Sequence, residues 1–335
     1  MKILLTGGLG YIGSHTATEL SAKGYDVAVL DDCSNSSPDT ARTLEKLTGR
    51  KVPFYRIDAC DCDGVTAVLE REKPDVVIHF AGLKSIRGSI AEPDRYFRTN
   101  IGAARGVICA MEKCGVRDFI FSSSACVYSS QGESPYSEKS PLAGAHPYAE
   151  TKIIIEDMLH EDCVGKRDVR AMSLRYFNPV GVHESGLLRE NIQGRPENLA
   201  PAVVAAVKGK YDLKVFGDDY DTPDGTCIRD FIHICDLAAG HVAALEYMKN
   251  VMPKLNEGGS AYEVFNLGSG RGYSVLDFIK TFERVNGVTV PYEMGKRRDG
   301  DLAVVYADIK KAETLMGWRP RFGLDDMCAS LKVLL

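Results

Sequence analysis

The chain has 335 residues, enough for one large domain or two modest ones with a sizeable core. Its 44% hydrophobic and 26% charged content is that of a folded globular protein and excludes a disordered one. The net charge is −5 with no concentrated basic run, which disfavours a nucleic-acid partner, and no apolar stretch approaches the ~20 residues that cross a bilayer.

Residues 2–6, KILLT, predict a strand that ends at a glycine cluster and leaves no room for a signal peptide. Helical spacing follows over 11–23 and stops at Gly24, and 25–31 (YDVAVLD) predicts the next strand. The alternation continues with a strand at 52–58, a helix near 62–72, a strand at 75–82, a long helix across 93–114 and a strand at 118–124. A helix opened by Pro147 and a strand at 169–177 complete the series. Strands apolar on both faces, separated by helices, predict an α/β fold: a Rossmann-type doubly wound parallel sheet covered on both sides.

After Asn178 the character changes. Residues 178–200 are rich in Gly, Pro, Asn and Glu without a clear period. Short strands (LKVFG, EVFNLG) then mix with helices around 198–208, 235–249 and 274–286. The division expected is a nucleotide-binding domain at 1–177, with chain returning to it at about 229–266, and a smaller mixed α/β substrate lobe built mainly from 178–335. Ten cysteines are scattered along the chain, and only Cys60 and Cys62 lie close together, so no zinc-ligand set and no metal is expected. They read as small core hydrophobes in a reducing compartment, which predicts a cytoplasmic protein without disulfides.

The turn TGGLGYIG, residues 6–13, fits both Gly8-x-Gly10-x-x-Gly13 and Gly7-x-x-Gly10-x-x-Gly13. A tight turn, a backbone lying close to a pyrophosphate and a helix N-terminus facing its charge are what a dinucleotide needs there, and glycine meets the first two without steric cost. Asp31 ends the second strand near the ~20-residue offset of a ribose-binding carboxylate. A carboxylate repels a 2′-phosphate and no arginine follows at once, so NAD is preferred to NADP; a plain turn aspartate, with Asp32 beside it, is the competing reading. IDAC at 57–60 and FAGLK at 80–84 end later strands at the same sheet edge.

AHPYAETK, residues 145–152, sets Tyr148 one helical turn before Lys152. A positive charge beside a phenol favours phenolate, which would make the tyrosine a base near neutral pH. Alone, the pair is equally a surface helix opening at a proline. Read with residues 7–13, Asp31, HFAGLK at 79–84, FSSSACVYS at 121–129, RYFNPVGVH at 175–183 and GTCIRDFIHICDLA at 225–238, it resembles the extended short-chain dehydrogenase/reductase family, and the resemblance runs almost from end to end.

That resemblance implies Tyr148 as base and acid, Lys152 lowering its pKa and holding the nicotinamide ribose, and Ser124 sharing the substrate proton network. It implies NAD held by Gly7, Gly10, Tyr11, Ile12, Gly13, Asp31, Asn35 and Ser36, then by Asp58, Ala59, Phe80, Ala81, Gly82, Lys84 and Thr99, with Phe177 near the nicotinamide. For the substrate it implies UDP-glucose and UDP-galactose, inverted at C4 through a 4-keto sugar while NAD stays bound. Asn178 and Arg229 would hold the diphosphate with help from Arg298, Asn198, Leu199 and Phe216 would frame the uridine, Asp301 would accept from its ribose, and Lys84 would reach the sugar side. It also implies a homodimer through helices near 93–114 and 146–163.

Departures from the family pattern are visible. Where the run often reads Ser-Ser-x-Thr-Val-Tyr-Gly, Cys126 and Ser129 replace Thr and Gly, and Thr99 stands where an asparagine often meets the cofactor. Val305 takes the position at which a tyrosine restricts the sugar pocket, so UDP-N-acetylglucosamine and UDP-N-acetylgalactosamine are expected to fit. A 4,6-dehydratase would need an acidic residue near Ser124 and none is there, and a nucleotide-sugar decarboxylase is disfavoured on similar grounds. A coenzyme-releasing dehydrogenase stays open, as does an NAD-binding scaffold, although the latter has no use for Tyr148 and Lys152.

Overall fold

A computed structural model describes residues 1–165, 169–192, 194–255, 261–298 and 300–335. β1 (Lys2–Thr6) leads through the glycine turn into α1 (Tyr11–Ala22), then β2 (Asp26–Leu30), α2 (Asp39–Thr48), β3 (Phe54–Tyr55), α3 (Cys62–Glu72) and β4 (Val76–His79). Next come α4 (Ile86–Ala91), α5 (Pro93–Tyr96), a π-turn over Phe97–Ile101, α6 (Gly102–Cys114), β5 (Asp118–Ser124), α7 (Pro147–Gly165) and β6 (Arg170–Tyr176). The remaining chain forms β7 (Asn178–Val180), α8 (Leu199–Val207), β8 (Leu213–Phe216), β9 (Ile228–Arg229), β10 (Phe231–His233), α9 (Ile234–Asn250) and β11 (Ala261–Leu267). It ends in β12 (Tyr273–Ser274), α10 (Val275–Asn286), β13 (Tyr292–Gly295), β14 (Val304–Val305) and α11 (Leu324–Ser330).

The central sheet is parallel, with order β11-β6-β5-β4-β1-β2-β3 among the described residues. Successive strand residues point to opposite faces, and each face has its own core. Ile3, Leu5, Val27 and Val29 pack with Leu20 of α1 and Leu237 and Leu245 of α9. Leu4, Ala28, Leu30 and Val77 pack with Val65 and Leu69 of α3, Val107 of α6 and Ile155 and Leu159 of α7. The chain therefore returns to this sheet through α9 and β11. A separate core built on Val203, Phe231, Phe278, Phe282 and Met327 supports the second lobe. A small cluster of Val127, Tyr128, Tyr136, Phe177 and Ala307, with Val305 packed on it, joins the two.

The structure corrects several sequence expectations. The strand expected at 52–58 shrinks to two residues at the sheet edge. Pro53 has no N–H to offer a ladder, and an edge strand needs only one neighbour: the Pro53 carbonyl accepts from Val29 N at 2.8 Å and that of Tyr55 from Asp31 N at 3.0 Å. The single helix expected over 93–114 is α5, the π-turn and α6 in series. The π-turn carries the buried Asn100 inward, where Oδ1 accepts from Leu83 N at 2.7 Å and Nδ2 donates to Leu83 O and Thr151 Oγ1, both at 3.1 Å. The cysteines are not all separate, because Cys62 of α3 and Cys109 of α6 form a disulfide. Helices far apart in sequence lie side by side here, which spacing along the chain could not reveal.

One buried carboxylate ties three segments distant in the chain together. Asp230 is wholly buried between β9 and β10. It accepts from Ser269 N (2.6 Å), Ser269 Oγ (2.7 Å), Gly270 N (3.1 Å) and Ala307 N (3.1 Å). Asp230→Asn turns one acceptor oxygen into a donor facing donors, so it is expected to cost about 2–4 kcal/mol of stability. A fall in the urea midpoint at unchanged slope is the measurement; an unchanged midpoint would contradict this assignment.

Candidate active site

Three glycines shape the turn after β1. Gly7 has φ +69°, and a Cβ on it would lie 2.6 Å from Ala81 N; one on Gly13 would lie 2.6 Å from Gly7 O. The first collision is with the segment that ends β4, the second is within the turn itself. α1 starts at Gly10 with no side-chain cap and no acidic residue in its first turn. Its N-terminal N–H groups and positive dipole end are thus left to an anion.

Asp31 closes the adjoining strand and is buried. Oδ2 accepts from Leu9 N at 3.0 Å, while Oδ1 accepts from Cys33 N at 2.9 Å and Ser36 Oγ at 2.7 Å. The carboxylate is held in place by the glycine turn and by its own loop, with acceptor capacity left over for a ribose hydroxyl. Around the same edge lie Asp58, which accepts from Cys60 N, the buried Ala59, and Phe80 against His241 with ring centroids 5.1 Å apart. Gly82 adopts φ +151° beside Asn100 Oδ1. These groups fit a dinucleotide: an anion cradle, a ribose acceptor and an apolar slot in a row.

Other expected cofactor residues have further duties. The Tyr11 hydroxyl donates to Gly181 O in the second lobe at 2.6 Å, and Ile12 packs on the core of its sheet face. Lys84 donates to Glu190 Oε1 at 2.5 Å, again across to the second lobe. Asn35 is exposed in the Asp31 loop, and the carbonyl of Thr99, inside the π-turn, accepts from Cys60 Sγ at 3.6 Å.

Ser124 at the end of β5, Tyr148 and Lys152 meet at this edge. Pro147 opens α7, and the spacing of four puts Tyr148 and Lys152 on one stripe of it. The Lys152 ammonium is buried and donates to Ser122 O at 2.7 Å. It stands 4.7 Å over the Phe121 ring and 5.6 Å from the Tyr148 ring centre. Tyr148 stacks on His146, with centroids 6.0 Å apart and planes within 4°.

The electrostatics depart from the sequence expectation. Burial pushes the Tyr148 phenol well up; the nearby Cys126 adds to that, and the Ser124 hydrogen bond pulls it back. Burial also lowers Lys152 to about 8, against the pull of Cys126 and Glu156. In the protein alone the phenol is raised, because desolvation disfavours its charged form.

Across the cleft, β7 runs parallel to β10 and carries Asn178 to the rim, exposed. Arg229 lies opposite Val305 in the β9–β14 pairing. Its Nη1 donates to Ile228 O and Leu302 O, and Nη2 lies 3.5 Å from Asp301 Oδ1. The Arg298 guanidinium sits 4.0 Å over the Phe216 ring. Asn198 occupies the N-cap of α8 without using its side chain as a cap, and Leu199 opens that helix. Phe177 and Val305 share the small cluster that joins the lobes, so the apolar end of the cleft belongs to both. Sequence reasoning missed Asn100, which holds the 82–84 turn, and Glu190, which engages Lys84; each is a common polar residue outside any motif. Among the described residues no group of three His, Cys, Asp or Glu side chains is placed to hold a metal, and no helix is long and apolar enough to cross a membrane.

Comparison with known proteins agrees with this geometry. Residues 3–268 match the NAD dependent epimerase/dehydratase family, and the chain belongs to that family. It is 45% identical over 330 residues to UDP-glucose 4-epimerase of Bacillus subtilis (strain 168), covering 98% of this chain and 95% of that protein. A crystal structure of UDP-glucose-4-epimerase from Stenotrophomonas maltophila, with bound NAD and formylated UDP-arabinopyranose, superposes with a TM-score of 0.95 at 39% identity over 99% of this chain and 97% of that one. The UDP-Glc/GlcNAc 4-epimerase of Campylobacter jejuni gives 0.85 at 37% identity, over 99% and 98%.

Gly7→Ala combines a strained φ with a backbone collision, worth about 1–3 kcal/mol. We expect the purified variant to retain at least about tenfold less NAD, read from the nucleotide released on denaturation. Retention at the wild-type level would show that the turn is not the cofactor cradle.

Proposed function

We infer that the chain is a UDP-glucose 4-epimerase: with NAD it interconverts UDP-glucose and UDP-galactose through a transient 4-keto sugar. The observation that carries the reading is the meeting of Ser124, Tyr148 and Lys152 at the sheet edge where the glycine turn and Asp31 form a dinucleotide cradle. Residues 1–177, with the chain returning at about 229–266, form the NAD-binding domain in this reading, and 178–335 mainly form the UDP-sugar lobe.

When bound, NAD would supply the redox partner for C4 of the sugar. Tyr148 takes the proton of the C4 hydroxyl and gives it back once the sugar presents its other face. Ser124, which bears on the phenol, shares that proton's path. Lys152 stays beneath the pair as ammonium, screened from water by Phe121 and Tyr148. Inversion needs a firm hold on the nucleotide and freedom at the sugar. Arg229, Arg298 and Asn178 would bind the diphosphate, Phe216, Asn198 and Leu199 the uracil, and Asp301 the ribose. The sugar end is bordered by Val305 and Phe177, which offer surface without hydrogen bonds.

The smaller valine also supports acceptance of UDP-N-acetylglucosamine and UDP-N-acetylgalactosamine. A homodimer through the helices near 93–114 and 146–163 and a cytoplasmic location belong to the same reading.

Tyr148→Phe is expected to cut turnover about a thousandfold while NAD and UDP still bind, because only proton transfer is removed. Retained turnover would remove the role assigned to Tyr148. Turnover should fall as pH rises through about 8, where Lys152 loses its proton and with it the charge that favours phenolate; a rate rising steadily past that point would contradict the need for an ammonium. Val305→Tyr should abolish inversion of the N-acetylated substrates and spare UDP-galactose, assayed with each sugar nucleotide in turn.

A further inference from the structure

α7 carries a third residue on the stripe of Tyr148 and Lys152. Glu156 lies one further turn along and is 4% exposed, as deeply buried as Lys152. Its carboxylate is held from both neighbouring strands. Arg175 of β6 donates to it through two nitrogens, Nη2 to Oε2 at 2.5 Å and Nε to Oε1 at 3.0 Å. Ser123 of β5 donates to Oε1 at 2.5 Å. Ser123 and Arg175 are partners in the β5–β6 register, and the next pair along is Ser124 and Tyr176. The anchor therefore sits one residue from Ser124.

We propose that Glu156 is a positioning residue of the reaction centre: it fixes α7, and with it Tyr148 and Lys152, against the Ser124 end of β5, and it cancels the Arg175 charge so that Lys152 remains the lone uncompensated cation beneath the phenol. The proposal rests on the reading of Tyr148 and Lys152 as the reacting pair. No carboxylate comes within ion-pair distance of the Lys152 ammonium among the described residues, whereas Arg175 has two contacts to Glu156. Were Arg175 left unpaired, a second buried cation would act on both Lys152 and Tyr148 in a medium that screens poorly.

Arg175 itself is committed to its place. Its guanidinium lies 5.0 Å over the Tyr128 ring, and Nη1 donates to Glu138 O at 3.3 Å. Tyr128 in turn donates to Asn266 Oδ1 at 2.5 Å. Several titratable groups bear on Lys152, Tyr148 and Glu156 from neighbouring elements, among them His146, which stacks on Tyr148 and is lowered by burial. Burial drops His79 of β4 to about 3 and lifts Cys126, after β5, to about 11. Burial likewise raises Tyr176 of β6, Tyr262 of β11 and Tyr96 of α5, and Glu138, raised by burial, faces Arg175 from the loop before α7. The comparison with Tyr148→Phe therefore isolates the part of any shift that belongs to Tyr148.

The test uses the holoenzyme with UDP-galactose as substrate and Glu156→Gln as the variant, which keeps the shape and loses the charge. The expected result is a fall in kcat of about tenfold, KM within about twofold, and an alkaline limb moved down by roughly one pH unit. Tyrosinate absorbance, taken as the difference between each protein and its Tyr148→Phe counterpart, should titrate lower by a similar amount. Glu156→Asp keeps the charge and shortens the reach, so it should lower kcat and leave the limb in place. Glu156→Gln/Arg175→Gln removes both charges and should return the limb to the wild-type position even if the melting temperature falls. An alkaline limb and a tyrosinate titration unmoved in Glu156→Gln would overturn the proposal, and so would a double variant that stays shifted. Failure of the underlying reading is separate: it would show as turnover persisting in Tyr148→Phe.

Discussion

The ammonium of Lys152 is buried with a carbonyl and two aromatic faces around it and, among the described residues, no carboxylate within ion-pair distance. Everything at the sheet edge follows from the need to keep that charge next to a phenol. A cation without a counterion in a dry setting loses its proton easily, and here its pKa is drawn down to about 8. A carboxylate partner would secure the charge but also absorb its effect on Tyr148. The fold takes an intermediate course. It gives the lysine a carbonyl and π faces, which attract a cation without carrying a full negative charge, and it pairs Glu156 with Arg175.

That arrangement depends on where α7 sits relative to β5. The helix brings Tyr148, Lys152 and Glu156 on a single stripe, and the strand brings Ser122, Ser123 and Ser124 in succession. The Ser122 carbonyl meets the lysine and the Ser123 hydroxyl the glutamate, while the Ser124 hydroxyl meets the tyrosine. Three small residues in a row let a helix approach the end of a buried strand closely enough for each to matter.

Much of this was legible in the sequence. The glycine turn, Asp31, the serine run and Tyr148-x-x-x-Lys152 are local patterns whose spacing follows from one strand or one helix. The alternation of apolar strands and helices likewise leads to a parallel sheet. What escaped was set by partners distant along the chain. The edge strand collapsed to Phe54–Tyr55 because of Pro53 and a single neighbour. The π-turn at Phe97–Ile101 is imposed by Asn100 reaching for Leu83 and Thr151. The Cys62–Cys109 disulfide needs α3 and α6 side by side. The phenol of Tyr148 is raised because burial is a property of the whole fold, whereas the sequence displays only its neighbour's charge.

Two ties cross between the halves beside the nucleotide cradle: the Tyr11 hydroxyl on the Gly181 carbonyl, directly after the glycine turn, and Lys84 on Glu190, at the far end of the same row. Each tie joins segments more than a hundred residues apart in the chain. The rim formed by the glycine turn and by residues 80–84 is thereby fastened at both ends to later parts of the chain.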